Sequence, residues 1–248
     1  MTQRVALVTG GIGGLGTEIC KYLARSGRTV IAADLGSRAE RIAEFRSEVA
    51  EFAQQIFFEP LNVTDIDGCA ALVKHIEATQ GPIDILVNAA GITRDTTLRK
   101  MTTQQWSDVL TVNLGGVFNM CRHVVESMSE RGYGRIVNIS SVNGQTGQFG
   151  QTNYSAAKAG MHGFTMALAK EVARKGVTVN SVSPGYCRTA LVAAIPENVR
   201  SQIIANIPVG RLGEPSEIAR VVDFLCADES GFITGANIPV NGGYFIDF

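Results

Sequence analysis

One doubly wound parallel α/β sheet of about seven strands, with helices on both faces, is the fold class that the 248-residue sequence predicts. Three observations predict it. Short apolar runs alternate with amphipathic stretches along the whole length, the first run ends in a glycine-rich turn that opens a helix, and no linker, repeat or low-complexity tract divides the chain. We therefore expect a single domain over 1–248, with a cofactor half over about 1–135, a catalytic and substrate half over about 136–248, and a lid over about 186–210. Apolar residues at 45% and a formal net charge of -1 describe a soluble globule with enough chain for a proper core. The charge balance gives no reason to expect nucleic acid as a partner, and no apolar run is long enough to span a bilayer. With no charged-then-apolar leader, a cytoplasmic location is expected. The five cysteines are odd in number and scattered, and His75, His123 and His162 have no ligand spacing, so neither a disulfide framework nor a metal site is expected.

Residues 4–8 read as the first strand. They meet Thr9-Gly10-Gly11-Ile12-Gly13-Gly14-Leu15-Gly16, after which Ile19, Cys20, Leu23 and Ala24 recur at helical spacing up to Gly27. The glycines fit G-x-G-x-x-G through Gly11, Gly13 and Gly16, and equally T-G-x-x-x-G-x-G through Thr9, Gly10, Gly14 and Gly16. Between a strand and a helix, either pattern lets backbone approach a pyrophosphate beside the unpaired N–H groups of a helix start. Thr9, Gly10, Gly11, Ile12, Gly14, Leu15 and Gly16 are thus expected to cradle a dinucleotide, which makes the sheet Rossmann-like. Residues 29–33 form a second strand ending in Asp34, placed to accept hydrogen bonds from both ribose hydroxyls of NAD and to repel a 2'-phosphate. NAD(H) is favoured on that ground. Arg38 and Arg41 follow closely and could reach a phosphate, or could form the solvated face of the helix they begin, so NADP(H) stays possible.

Residues 56–59 read as a third strand. Asn62-Val63-Thr64-Asp65 then opens a helix with Leu72, Val73 and Ile76 on its apolar side, and Asn62 and Val63 are expected at the adenine edge. A fourth strand over residues 83–87 delivers Asn88-Ala89-Ala90-Gly91 at its carboxyl end, where open α/β sheets bind ligands. The helical region over residues 103–131 is interrupted near Asn113-Leu114-Gly115-Gly116, a break of the kind found at sites. Residues 135–139 give a fifth strand leading to Ser140-Ser141. The polar, glycine-rich loop 144–151, with Gln148, Phe149 and Gln151, is expected to wall a substrate pocket. The next helix carries Ala156, Ala157, Ala159, Gly160, Gly163 and Ala167, which suggests a subunit interface or tight packing on the sheet. Residues 176–183 form a sixth strand ending in Pro184-Gly185-Tyr186. Residues 191–209 read as a mobile helical lid, Ser216-Glu217 as the cap of a helix through Cys226, and residues 237–240 as the seventh strand.

Tyr154 and Lys158 stand four apart on that helix, so a phenol and an ammonium share a face. A free tyrosine has a pKa of about 10. A lysine charge about 4 Å away, at an effective dielectric near 20, contributes about 4 kcal/mol and is expected to pull that value down towards neutrality.

Thr9 to Gly16, Asn88-Ala89-Ala90-Gly91, Asn113, Ser141, Tyr154-x-x-x-Lys158 and Pro184-Gly185, in this order and spacing, resemble the short-chain dehydrogenase/reductase family over nearly the whole chain. Residues 134–145, 147–154, 158–160, 162–167 and 91–95, with the start Met1-Thr2-Gln3-Arg4, are similar to its members that reduce 3-oxoacyl thioesters. The resemblance implies that Tyr154 protonates the substrate oxygen and that Lys158 lowers its pKa and binds the nicotinamide ribose. It further implies that Ser141 holds the carbonyl, that Asn113 holds a water joining Lys158 to solvent, and that Pro184, Gly185 and Thr189 border the nicotinamide. The implied reaction is reduction of acetoacetyl-CoA to (R)-3-hydroxybutyryl-CoA, as in polyhydroxybutyrate synthesis, by a homotetramer. Acyl-carrier-protein substrates or small hydroxy compounds are the alternative, and a non-catalytic dinucleotide sensor is the remote one. Ser141, Gln148, Phe149, Gln151, Tyr154 and Tyr186 are the expected substrate contacts, with the acyl part against Phe149 and Tyr186. Arg94, Arg99 or Lys100 are available for the CoA phosphates, or are a solvated loop.

Overall fold

The structure is a computed structural model and describes residues 3–246. Met1 and Thr2 of the start quoted above lie outside the described residues, as do the last two residues of the 1–248 range. Seven parallel strands form one sheet: β1 (Val5–Thr9), β2 (Thr29–Asp34), β3 (Ile56–Pro60), β4 (Ile83–Asn88), β5 (Gly134–Ile139), β6 (Val177–Pro184) and β7 (Asn237–Val240). Their order across the sheet is β3-β2-β1-β4-β5-β6-β7. The chain moves outward from β1 to β3, then returns to place β4 on the other side of β1. The order therefore reverses between β1 and β4, and a crevice opens there at the carboxyl ends of the strands.

The five inner strands are buried on both faces, the edge strands β3 and β7 only in part, and their side chains divide by parity. Ala6, Val8, Val30, Ala32, Ile85 and Val87 face one layer, built from α1 (Gly14–Arg25), α2 (Ala39–Glu48) and, later in the chain, a helix over Pro215–Leu225. Leu7, Ile31, Ala33 and Leu86 face the other, built from α3 (Ile66–Thr79), a long helix over Gly116–Arg131 and another over Thr152–Val172. Continuous apolar runs are what a sheet covered on both sides requires.

The break expected near Asn113 is real and has a definite form. Helix α4 (Thr103–Leu110) passes through one wider, π-type turn at Thr111–Gly115 before α5 (Gly116–Arg131) continues. Such single-turn insertions occur often at functional sites. Beyond β5, α6 (Asn143–Thr146) is one short turn and α7 (Thr152–Val172) carries Tyr154 and Lys158. The lid region holds two short helices, α8 (Ala190–Ala193) and α9 (Glu197–Ala205), packed on a small core of Val192, Ile207 and Leu212. Helix α10 (Pro215–Leu225) starts before Ser216. Glu214 is its N-cap and exchanges hydrogen bonds with Glu217, while Pro215 takes the first helical position, where its missing N–H costs nothing. The Asn62 to Asp65 stretch ends on Asp65, which caps α3 by accepting from Gly68 N at 3.0 Å.

Candidate active site

The glycine turn joins β1 to α1, and two features of its packing admit only glycine. Gly10 has φ +65°, and a Cβ there would lie 2.8 Å from the backbone of Ala89 and Ala90. A Cβ on Gly16 would lie 2.1 Å from the Gly10 carbonyl oxygen, inside any possible contact. Gly11 is nearly as constrained, 2.7 Å from Ala32 Cα, whereas Gly13 meets only the Gly10 oxygen at 3.2 Å. Thr9 Oγ1 accepts from the N–H groups of Ala89 and Ala90, at 3.2 and 3.3 Å, and so ties the β4 loop to the turn. No side chain caps the start of α1 and no acid sits in its first turn, which leaves its N–H groups and positive dipole end for an anion. Gly14 faces Thr189, whose Cγ2 would be 3.1 Å from an added Cβ, so the base of the lid reaches the same turn.

At the end of β2, Asp34 accepts from Leu35 N at 2.8 Å and from Arg38 Nη1 at 3.2 Å. Arg38 thus engages the acid expected to hold the ribose. Arg41 is not a solvated residue: it is only 20% exposed and bonds back to the glycine turn. A turn of backbone without side chains at its closest approaches, an uncapped helix start and an acid eighteen residues beyond Gly16 fit a dinucleotide.

Three residues expected around that group have side chains or backbone engaged within the chain. Asn88 points into the helix layer, donating to Asn138 Oδ1 at 2.9 Å and to Cys121 Sγ at 3.5 Å, and Asn138 in turn donates to Thr165. It braces β4 against β5 and α7. Val63 is buried against Gly116, and its carbonyl accepts from Asn119 Nδ2 at 2.8 Å. Asn62 closes its own turn by accepting from Thr64 N and Oγ1. Ala90 packs against the core, whereas Leu15, Ala89, Gly91, Pro184, Gly185 and Thr189 line the crevice.

That crevice is a cleft of about 370 Å³, and Ser141, Tyr154 and Lys158 converge in it. Lys158 is buried, and its Nζ donates to the Ile139 carbonyl at 2.7 Å and lies 5.6 Å from the centre of the Tyr154 ring. Ser141 Oγ accepts from Asn143 N at 3.1 Å and lines the cleft together with Tyr154, whose phenol its hydroxyl influences. Asn113 is fully buried in the π-type turn and clasps the Ile92 backbone twice, accepting from its N–H at 2.8 Å and donating to its carbonyl at 3.0 Å. A Cβ on Gly91 would stand 3.3 Å from Asn113 Oδ1 and 3.7 Å from Lys158 Nζ, so the four residues expected from sequence meet at one place.

The electrostatics differ from the expectation. Burial raises the Tyr154 pKa above its ordinary value, the Ser141 hydrogen bond lowers it, and Asp95 raises it further. Lys158, whose Nζ donates to the Ile139 carbonyl, has its charged form disfavoured by burial, which lowers its pKa to about 8. The helical spacing gave proximity, but not the solvation of the cation. A base whose folded pKa is depressed opposes folding. The penalty is full below about pH 8 and is relieved as pH rises towards the ordinary 10.5. Lys158→Met is therefore expected to be more stable than wild type at pH 7, by up to ~3 kcal/mol. The gap measured by urea unfolding should close above pH 10, and a constant gap would contradict the shift.

The substrate wall is partly as expected. Gln151 and Tyr186 line the cleft, but Phe149 is 87% exposed and Gln148 is exposed, so neither meets the cleft in this structure. Glycines at φ +71° (Gly147) and +78° (Gly150) turn the loop outward around them. Tyr186 packs edge-on against Tyr244, with centroids 5.6 Å apart, and not against Phe149. Sequence reading missed Asn143 and Asp95. Gln151 donates to Asp95 Oδ2 at 2.7 Å and accepts from Asn143 Nδ2 at 2.9 Å, linking three segments of the wall. Only the neighbourhood of the polar loop hinted at them, since their partners lie in distant parts of the chain. Val192 and Ile195, from the lid, supply apolar lining. Arg94 is turned towards Thr93 O and Asp108, while Arg99 and Lys100 are exposed on a single turn, Leu98–Lys100. His162 pairs with Ser183 at 3.2 Å and is a packing residue.

A parallel sheet that reverses at β1, with a glycine cradle and an Asn-Ser-Tyr-Lys cluster in the crevice, defines a dinucleotide-dependent oxidoreductase. Residues 4–200 match the short chain dehydrogenase family, and the chain belongs to that family. It is 56% identical to the acetoacetyl-CoA reductase of Allochromatium vinosum over 98% of this chain and 99% of that one. It is 51% identical to the acetoacetyl-CoA reductase of Cupriavidus necator, over 98% of each chain. It is also 42% identical to the 3-oxoacyl-[acyl-carrier-protein] reductase of Haemophilus influenzae, over 99% of this chain and all of that one.

Proposed function

We propose that this protein reduces acetoacetyl-CoA to (R)-3-hydroxybutyryl-CoA, using NADH in preference to NADPH. One observation carries the reading: a phenol, a serine hydroxyl and a buried lysine converge in a cleft that begins at a dinucleotide-binding turn. Both relatives named acetoacetyl-CoA reductase support the substrate. The nicotinamide group supplies hydride when bound. The chain's part is to hold the ketone oxygen between the Ser141 and Tyr154 hydroxyls and to deliver the Tyr154 proton to it as negative charge develops. A raised phenol pKa suits this direction, because the acid stays protonated at neutral pH. Lys158, adjacent to the phenol on α7, offers its ammonium to the ribose and to the emerging phenolate. Asn113 fixes the Gly91–Ile92 backbone at the floor of the cleft, and a water there would connect Lys158 to solvent. The assay is loss of nicotinamide absorbance on adding acetoacetyl-CoA.

NADH follows from Asp34. A 2'-phosphate would meet its carboxylate at the end of β2, and the nearest cation, Arg38, is already paired with that acid. Asp34→Ala is expected to raise the ratio of kcat/KM for NADPH to that for NADH by at least about tenfold, since like-charge repulsion and the ribose hydrogen bonds both disappear. An unchanged ratio would contradict the role of Asp34.

The acyl-carrier-protein alternative has one observation in its favour. Arg99 and Lys100 are exposed cations on the turn Leu98–Lys100, which follows the cleft residue Asp95 in the chain, and they suit an acidic carrier as well as the CoA phosphates. Rates with the two carriers at equal concentration decide between them.

Self-association is part of the proposal. A groove of about 580 Å³ runs between α5 and α7, with Phe118, Phe164 and Leu168 on it, and Met166 is half exposed on α7. A second copy covering it, in a homotetramer, would bury that surface, and light scattering reads the mass. Among the described residues no helix is long and apolar enough to cross a membrane. A cytoplasmic location and a division into cofactor half, catalytic half and lid complete the reading.

A further inference from the structure

Arg41 stands in the first turns of α2 and reaches back across the sheet edge. Its Nε donates to the Ile12 carbonyl at 2.6 Å. Nη1 donates to Glu48 Oε1 at 2.7 Å and to Glu44 Oε2 at 3.2 Å. Nη2 donates to Thr17 Oγ1 at 3.0 Å and to Glu48 Oε2 at 3.1 Å. A guanidinium has five N–H groups and all five have acceptors here. Ile12 lies inside the glycine turn and Thr17 in the first turn of α1, both almost fully buried. The guanidinium therefore grips the turn from both flanks, while the two glutamates hold the guanidinium. Gly11 N also bonds Ala33 O at 3.2 Å, which sets this stretch directly beside Asp34.

Resting on the dinucleotide reading above, we propose that Arg41 is a positioning residue for the phosphate-binding turn. In the same arrangement Glu48, seconded by Glu44, acts as a remote determinant of cofactor choice by keeping the Arg41 donors engaged. A saturated, fork-paired guanidinium has no N–H free for a 2'-phosphate, although it lies next to where one would be. Removing the Glu48 carboxylate frees one N–H on each terminal nitrogen and leaves a cation without its bidentate partner. A phosphate dianion is a stronger acceptor than the water that would otherwise take its place.

The test is titration of NADH and of NADPH, followed by nicotinamide fluorescence, on wild type, Glu48→Ala and Arg41→Ala. Glu48→Ala keeps a good helix former at the end of α2 and is expected to tighten NADPH about tenfold, the scale of one or two hydrogen bonds to a charged group, with NADH within about twofold. Arg41→Ala is expected to weaken both cofactors about tenfold through a loosened turn while kcat at saturation is retained. An unchanged NADPH affinity in Glu48→Ala, or unchanged NADH affinity in Arg41→Ala, would overturn the proposal. A wild type that prefers NADPH would contradict the NADH reading alone, leaving the clamp to be judged by Arg41→Ala. A wild type that binds neither would overturn both.

Discussion

Tyr154→Phe is expected to lower kcat for ketone reduction by about a thousandfold, within the range for loss of a positioned general acid, and to leave KM within a few-fold. The phenol proton is the only one of the cluster placed to move to the ketone oxygen. Ser141 can share a hydrogen bond, and Lys158 is turned onto the Ile139 carbonyl. The ring of phenylalanine fills the same volume, so the cleft keeps its shape and dinucleotide titration should be unchanged. Full turnover by the variant would remove Tyr154 from the mechanism. pH adds a second mark. Because burial holds the phenol protonated, the reductive rate should stay flat through neutrality, whereas the reverse oxidation, which needs the phenolate, should climb with pH.

Gly16→Ala is the other large effect. The new Cβ would stand 2.1 Å from the Gly10 oxygen and 2.9 Å from Gly11 Cα, both backbone, so the turn itself must move. Better helix propensity returns at most ~1 kcal/mol, against ~1–3 kcal/mol for overpacking, and the net loss should appear as a lowered Tm. The larger consequence is for binding. A turn displaced by even 1 Å no longer presents its N–H groups to a pyrophosphate, and NADH affinity should fall by about a hundredfold or more. Gly13→Ala, facing only the Gly10 oxygen at 3.2 Å, serves as the comparison and should be far milder. Equal effects of the two substitutions would show that the close approach at Gly16 is not what the turn depends on.

Much of this was legible in the sequence because it rests on short-range rules. Strand periods, the glycine turn and the i,i+4 placement of Tyr154 and Lys158 are local, and parallel topology follows from strand-helix alternation. Even the interruption at Asn113 was visible as poor helix formers in mid-helix, although its π-type form was not. What sequence could not supply was the direction in which a side chain points once its segment is packed. Asn88 and Val63 stand beside the crevice in sequence, yet parity and neighbouring helices turn both inward. Phe149 carries the right chemistry for a pocket wall, but two positive-φ glycines set it in solvent. The Asp95–Gln151–Asn143 chain and the Arg41 clamp join residues far apart in the chain, so no local pattern announces them. The direction of the Tyr154 shift was hidden for the same reason, since burial of the phenol is a tertiary property.

The most direct measurement of the central claim is product formation from acetoacetyl-CoA with NADH, in wild type and Tyr154→Phe side by side. One NADH consumed per acetoacetyl-CoA, (R)-3-hydroxybutyryl-CoA as the product, and loss of that turnover in the variant are the expected results. No consumption of either reduced cofactor by the wild type, or turnover retained without the Tyr154 hydroxyl, would contradict it.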